Sequence, residues 1–141
     1  MNKIAIHPYP VTDGSHGTAP HYDPAVMEQV LNRIRAVRAA NHDASTPLWI
    51  TETGVPTQSI LGLAPAATDE QQGAHLSTMV NQIKHDRDVK VAIIGRLIAP
   101  PLDLGAAYDA LAIGFGVFNS DGTPNTRSVR LSREFGGNLN C

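Results

Sequence analysis

One glutamate stands out among the residues of this chain whose type and position could do chemistry. Glu52 closes the largely apolar run LWITE at residues 48–52, a pattern typical of a buried strand that ends in polar residues. Functional side chains of parallel α/β proteins collect where strands end and loops begin. The position of Glu52 therefore favours a functional role over that of a solvated residue at the start of a loop.

A histidine and a tyrosine form the second group of interest. The apolar run at residues 4–7 ends in His7, and Pro8 and Tyr9 follow it. An imidazole and a phenol at such a position could hydrogen-bond a neighbouring carboxylate, fix its orientation and keep it ionised. The spacing alone is equally compatible with a histidine at a strand end and a half-buried tyrosine.

Three apolar runs predict the strands that position these residues, at 4–7, 48–52 and 89–94. Because helical segments separate the runs, we expect parallel strands in βαβ units. Each run is nearly all apolar, so we expect both faces of the sheet to be covered. A closed barrel of this type needs eight strands and about 250 residues, whereas an open three-stranded sheet leaves two edges bare. The chain is thus either a small open α/β domain or part of something larger.

Capping signals predict the helices between the strands. Asp23 followed by Pro24 has the form of an N-cap and a first helical residue, and this helix is expected to end near Asn41. The sequence TDEQ at residues 68–71 has the form of a capping box and predicts a helix that ends near residue 86. Residues 126–135 are expected to form a closing helix.

Long polar loops should follow the strands. They are predicted at residues 10–22, 53–65 and 95–114, where glycine, proline and small polar residues are frequent. Residues 115–118 could add a short extended piece, and the Asp-Gly pair at 121–122 is typical of a turn. The first two loops follow the strands that end at His7 and Glu52, so they could frame a substrate groove.

Charge and composition exclude several classes of partner. The 141 residues carry a net charge of −2 and no run of Lys or Arg, so we expect no nucleic-acid or membrane partner. No apolar stretch approaches the roughly 20 residues of a membrane span. The segment before His7 is too short and too weakly apolar for a signal peptide, which leaves the compartment unknown.

Metal and disulfide sites are not expected either. His16 and His21 share a loop near His7, but the chain has no helical His-x-x-x-His pair and no tight Cys/His cluster. Cys141 is the single cysteine, so no internal disulfide can form. We therefore predict no metal and no cofactor.

The two strand-end motifs resemble those of a known clan of enzymes. HPYP at residues 7–10 and PLWITETG at residues 47–54 are similar to the sixth and seventh strands of the retaining (β/α)8-barrel glycoside hydrolases that include cellulases, xylosidases and mannanases. In that clan the sixth strand carries a His-x-Tyr pair, and the seventh commonly reads W-x-T-E-x-G. Residues 89–94 then match the eighth strand, and residues 115–125 resemble the closing segment before the last helix.

The resemblance implies a fold and a set of residue roles. It implies an α/β fold, with residues 1–141 forming a single partial TIM barrel of about three βα units that lacks its N-terminal strands. Glu52 would be the catalytic nucleophile, Tyr9 would hydrogen-bond it, and His7 would line the subsite of the cleaved sugar. Trp49 would pack in the core, and the loop residues Thr57 and Gln58 could reach the groove.

The second carboxyl group of a retaining site has no candidate in the sequence. Such a site needs a protonated acid about 5 to 5.5 Å from the nucleophile. In the clan this acid follows an Asn at the end of the fourth strand, and the chain contains no Asn-Glu pair. The remaining glutamates fall in predicted helices, and no loop aspartate is marked as a raised-pKa acid: Glu28, Glu70, Glu134, Asp13, Asp103 and Asp121. The clan's aromatic residue after the eighth strand is also missing from residues 95–100.

These observations predict a glycoside hydrolase-like domain that carries the nucleophile half of a retaining β-glycosidase site and is inactive alone. Its ligand would be a carbohydrate, and a second copy or a partner chain could cover its bare sheet edges. The clan is often secreted. Two other interpretations stay open: a non-catalytic carbohydrate-binding or interaction domain, and a small open α/β domain of unrelated function.

Overall fold

The computed structural model describes residues 2–12, 19–57, 59, 65–97 and 114–139. Three strands form one parallel sheet in the order β1, β2, β3, with β1 at Ile4–Ile6, β2 at Leu48–Thr53 and β3 at Val89–Ile94. The predicted α/β fold of about three parallel βα units is confirmed, and each strand boundary lies within one residue of its predicted position.

In the described residues, three helices accompany the sheet: α1 at Pro24–Ala40, α2 at Asp69–His85 and α3 at Thr126–Glu134. The predicted caps are present, since the Asp23 carboxylate accepts from the backbone N–H of Ala25 at 2.8 Å. Thr68 and Gln71 form the expected capping box at the start of α2.

Both connecting helices lie on one face of the sheet. Crossovers between parallel strands are right-handed, so α1 and α2 are placed on the same side when strands follow each other in sequence order. Leu48 and Ile50 of β2 are fully buried on this side, in one core with side chains of all three helices: Met27, Leu31, Leu76, Met79 and Leu131.

The opposite face of the sheet is largely open in the described part of the chain, so the expectation that both faces are covered is wrong there. Ala5 is exposed and the Ile93 side chain is 53% exposed. Trp49 was expected in the core but is only half-buried, and the ammonium group of Lys3 lies 3.8 Å from the centre of its ring. The helices supply the covering for one side only.

A segment without regular secondary structure, residues 114–123, contacts the chain just after the carboxyl end of β3. Residues 115–118, predicted as a short extended piece, form a turn at Phe115, a bend at Val117 and a single β-bridge position at Phe118. The backbone N–H groups of Val117 and Phe118 donate to the carbonyl of Leu97 at 3.2 and 2.8 Å. The predicted turn at residues 121–122 is present, with Gly122 at a φ of +80° and its N–H bonded to the Asn119 carbonyl at 2.9 Å.

Candidate functional site

The three side chains singled out from the sequence meet at the carboxyl ends of β1 and β2. The hydroxyl of Tyr9 donates a hydrogen bond to Oε1 of Glu52. The Nδ1 atom of His7 lies 3.9 Å from the other carboxylate oxygen, Oε2. His7 and Glu52 are 56% and 55% exposed, so a ligand in solvent can reach the carboxylate.

Strand pairing and one buried hydrogen bond hold these residues together. Ile6 pairs with Ile50, so the residues after β1 and at the end of β2 emerge at the same edge of the sheet. The buried hydroxyl of Thr53 donates to the carbonyl of Pro8 at 2.6 Å, which ties the segment after β1 to the end of β2. This bond lies between His7 and Tyr9 in the chain and therefore fixes the backbone from which both side chains extend.

A threonine of β2 orients the histidine. The Nε2 atom of His7 lies 3.0 Å from the hydroxyl oxygen of Thr51, within hydrogen-bond distance. The ring therefore bridges Thr51 on one side and Glu52 on the other. Sequence analysis placed Thr51 inside the motif but gave it no role at the site.

The Tyr9 hydroxyl keeps its proton throughout the neutral pH range and therefore remains a hydrogen-bond donor. Partial burial and the hydrogen bond to the Glu52 carboxylate raise the pKa of Tyr9 far above its ordinary value. A neutral phenol that donates to one carboxylate oxygen leaves Oε2 as the oxygen available for other chemistry.

Phe115 supports the tyrosine and was not assigned to the site from the sequence. Its ring packs edge-on against Tyr9, with centroids 6.0 Å apart and planes at 62°. The same ring lies so close to the backbone of Gly54 that a Cβ there would approach Phe115 Cδ1 to 2.7 Å. Gly54 was the signal in the sequence that could have indicated this contact, because a glycine in a strand often marks a place where another part of the chain comes close to the backbone.

A buried amide fixes the loop that follows β2. The Gln72 side chain is fully buried and its Nε2 donates to the carbonyls of Val55 and Gly114, the latter at 2.9 Å. Thr57, which by its place in the sequence could reach the groove, donates its backbone N–H and its hydroxyl to the same Gly114 carbonyl, at 2.8 and 3.3 Å. Gln58 lies outside the described residues.

No second carboxyl group of the described residues is prepared as a general acid at this site. Glu28 pairs with Arg35 at 3.0 Å, Glu134 accepts from the hydroxyl of Ser77, and Glu70 lies in the first turn of α2. Hydrogen bonds from Thr123 lower the pKa of Asp121, the opposite of what a proton-holding acid requires. Asp13 and Asp103 lie outside the described residues.

The described residues contain no group of three or more His, Cys, Asp or Glu that could hold a metal ion. His21 lies in hydrogen-bond contact with Thr12 and Ala19, and His16 is outside the described part. Within the same part, no helix is both long and apolar enough to cross a bilayer.

Comparison with known proteins finds likeness in solved structures alone. No family model and no characterised sequence matches the chain. A family 17 β-1,3-glucanosyltransferase from Rhizomucor miehei matches 90% of this chain with a TM-score of 0.60 at 14% identity. The β-glucuronidases of Bifidobacterium dentium and Faecalibacterium prausnitzii match 96% of it, with TM-scores of 0.61 and 0.59 at 18% and 15% identity.

At these identities the likeness is one of fold. The three solved structures are glycoside hydrolases with a TIM-barrel fold. The chain spans 42% of the Rhizomucor protein, 21% of the Bifidobacterium protein and 22% of the Faecalibacterium protein. It therefore corresponds to less than half of each structure that it resembles.

Proposed function

We propose that this chain carries the nucleophile half of a retaining β-glycosidase site, with Glu52 as the nucleophile. The observation that carries the proposal is the meeting of Glu52, Tyr9 and His7 at the carboxyl ends of adjacent parallel strands. This is the edge at which TIM-barrel enzymes place their catalytic groups. The likeness in fold to glycoside hydrolases supports the choice of reaction class.

The two carboxylate oxygens of Glu52 have different surroundings, and the proposal uses the difference. Oε1 accepts a hydrogen bond from the Tyr9 hydroxyl, whereas Oε2 faces the imidazole of His7 across 3.9 Å. Oε2 would attack the anomeric carbon, forming a carbon–oxygen bond while the bond to the leaving oxygen breaks. The leaving oxygen departs with the electron pair, and His7 lines the space that the sugar occupies.

A leaving alkoxide needs a proton, and the described residues offer no second carboxyl group prepared to supply it. In a retaining enzyme that proton comes from a second carboxyl group about 5 to 5.5 Å from the nucleophile. We therefore propose that the chain alone does not hydrolyse ordinary sugar–sugar linkages. Glycosides with a dinitrophenolate leaving group do not need the acid, because that anion is stable without a proton.

Covalent trapping tests the nucleophile without requiring the missing acid. The chain is incubated with dinitrophenyl β-glucoside and β-glucuronide analogues that carry fluorine on the carbon next to the anomeric centre, which slows breakdown of the glycosyl-enzyme. We expect the intact mass to rise by one fluorosugar, and peptide mapping to place that sugar on Glu52. Glu70→Gln, which removes an exposed carboxylate from α2, should label normally, and Glu52→Gln should not label.

Labelling that survives Glu52→Gln, or the absence of labelling at high reagent concentration, would exclude Glu52 as the nucleophile. The absence of labelling together with saturable binding of an unreactive glucoside favours the carbohydrate-binding alternative. That alternative has one observation in its favour, the exposure of Glu52 and His7 without a described acid beside them. Neither labelling nor binding favours an unrelated α/β domain.

A further inference from the structure

Two consecutive residues of β2, Thr51 and Glu52, face the same imidazole ring. Nε2 of His7 lies 3.0 Å from the hydroxyl oxygen of Thr51, and Nδ1 lies 3.9 Å from Oε2 of Glu52. Neighbouring residues of a regular strand point to opposite faces of the sheet. The register between β2 and β3 shifts between Ile50 and Thr53, and an irregularity of this kind re-aims side chains. The proposed nucleophile is thereby linked to Thr51 through His7.

The contact with Thr51 bears on which nitrogen of His7 holds the proton. A neutral imidazole has one N–H and one accepting nitrogen, and the hydrogen bond made at one nitrogen decides where the proton lies. If Nε2 held the proton, the lone pair of Nδ1 would face the negative Oε2 of Glu52, which is unfavourable. If the Thr51 hydroxyl donates to Nε2 instead, the proton lies on Nδ1 and the N–H dipole faces Oε2 with its positive end.

The distance between His7 and Glu52 makes this arrangement suitable for a nucleophile. The 3.9 Å between Nδ1 and Oε2 exceeds hydrogen-bond length, whereas Oε1 is already held by the Tyr9 hydroxyl. The N–H dipole therefore stabilises the ionised carboxylate without occupying a lone pair of Oε2. No hydrogen bond to His7 has to break before Oε2 can form a bond to carbon.

We propose that Thr51 is a positioning residue, whose hydroxyl donates to Nε2 of His7 and keeps the ring in the Nδ1–H tautomer that faces Oε2 of Glu52. The site then offers His7 as a hydrogen-bond donor to a bound sugar, and an oxygen of the sugar is the matching acceptor. The effect on the sugar rests on the proposed glycosidase function, whereas the tautomer is a property of the chain without a ligand. The two are therefore tested separately.

The tautomer is measured directly by nuclear magnetic resonance of the imidazole nitrogens in the sugar-free chain. Two-bond proton–nitrogen correlations distinguish the Nδ1–H ring, the Nε2–H ring and the doubly protonated ring. His7→Asn identifies the signals of His7 among the six histidines. At about pH 8.5, above the range in which histidines ordinarily titrate, we expect the Nδ1–H form. An Nε2–H ring overturns the proposal, and so does a doubly protonated ring, because Thr51 would then accept from Nε2.

Substitutions of Thr51 test whether its hydroxyl is the cause. Thr51→Val keeps the shape of the side chain and removes the hydroxyl, so the ratio of Nδ1–H to Nε2–H should fall about threefold or more, as expected for one net hydrogen bond. Thr51→Ser keeps the hydroxyl and should restore the ratio. Thr78→Val removes an exposed threonine hydroxyl from α2 and should leave the ratio unchanged. Thr51→Ala replaces the valine variant if circular dichroism shows that the latter is unfolded.

Glu52→Gln separates the influence of the carboxylate from that of the threonine. The Thr51 hydroxyl still donates in this variant, so the Nδ1–H form should remain the major one. A switch to Nε2–H in Glu52→Gln, together with an unchanged ratio in Thr51→Val, would assign the control of the ring to Glu52 and overturn the proposal.

The rate of fluorosugar labelling tests the consequence for the sugar. Thr51→Val should label about threefold or more slowly than the unmodified chain, because His7 then offers its donor to the sugar less often, and Thr51→Ser should recover the rate. Equal rates in Thr51→Val and the unmodified chain would refute the part of the proposal that concerns the sugar. If no chain is labelled, the assignment of Glu52 as the nucleophile fails, and the tautomer ratio of the sugar-free chain still confirms or overturns the role of Thr51.

Discussion

Two residues of the same strand, Ile50 and Glu52, lie in contrasting surroundings. Ile50 is completely buried between the sheet and the helices. Glu52, two positions further along β2, is 55% exposed beside Tyr9 and His7. The core around Ile50 is packed with side chains of α1 and α2, whereas Glu52 and His7 each expose about half of their side-chain surface to solvent.

The difference indicates that the stability of this fold comes from the helix side of the sheet, whereas the carboxyl edge of β1 and β2 stays exposed to solvent. Burial of apolar side chains is the main source of folding free energy. Exposed polar contacts such as His7–Glu52 contribute little by comparison, because water competes for the same groups. Substitutions in the core should therefore lower the free energy of unfolding much more than substitutions at the exposed carboxyl edge.

The largest effect on stability is expected for Ile50→Ala. Removal of a fully buried side chain from the core should lower the free energy of unfolding by about 3 kcal/mol. Urea denaturation followed by circular dichroism measures the change. Glu52→Gln is the matched variant two residues away, and it should alter stability by no more than about 0.5 kcal/mol. Equal losses in the two variants would contradict the division between the regions.

Gly54→Ala should have a smaller but distinct effect, because this position joins the two regions. The described positive-φ glycines are Gly122 and Gly136, so the backbone at Gly54 does not itself demand glycine. The added methyl group would instead meet the ring of Phe115 at 2.7 Å, and overpacking of this kind costs about 2 kcal/mol. Urea denaturation of the single variant measures this loss.

A double-mutant cycle tests the cause. If the clash with the ring is responsible, the cost of Gly54→Ala should nearly disappear in a Phe115→Ala background, because the space is then free. A cost that persists without the ring would place its origin elsewhere in the backbone.

The sequence predicted the parallel βα units because their signals are local. Apolar runs and caps such as Asp23–Pro24 depend on neighbours in the chain, and they placed each described element within about two residues. The meeting of Glu52 with His7 and Tyr9 was expected from strand ends that lie at one edge. The resemblance to a known clan added the pairing of Tyr9 with Glu52.

The contacts that the sequence did not predict are those between distant segments. Phe115 reaches Tyr9 from more than a hundred positions away in the chain, and the pattern around it indicated only a short extended piece. The expectation that both faces of the sheet are covered was also wrong in the described part of the chain. An apolar strand indicates burial but does not indicate which segment covers it. Trp49 illustrates this point: it lies half-buried under Lys3 on the face that the helices leave open.

The effect that is smallest at neutral pH is a loss of stability that begins only near pH 10, and it tests whether the hydroxyl of Tyr9 is shielded from solvent. Tyrosine in an unfolded chain ionises near pH 10. The pKa of Tyr9 is raised by burial and by the Glu52 carboxylate, and burial raises the pKa of Tyr22 to about 12. Between these values the unfolded state releases protons that the folded state keeps, so stability is complete below about pH 10 and falls as the pH rises towards 12.

The melting temperature followed from pH 9 to 12 should therefore decline, and Tyr9→Phe and Tyr22→Phe should each make the decline shallower. An unchanged slope in Tyr9→Phe would mean that this hydroxyl is as accessible as a free phenol, and the hydrogen bond to Glu52 would then have no part in holding its proton.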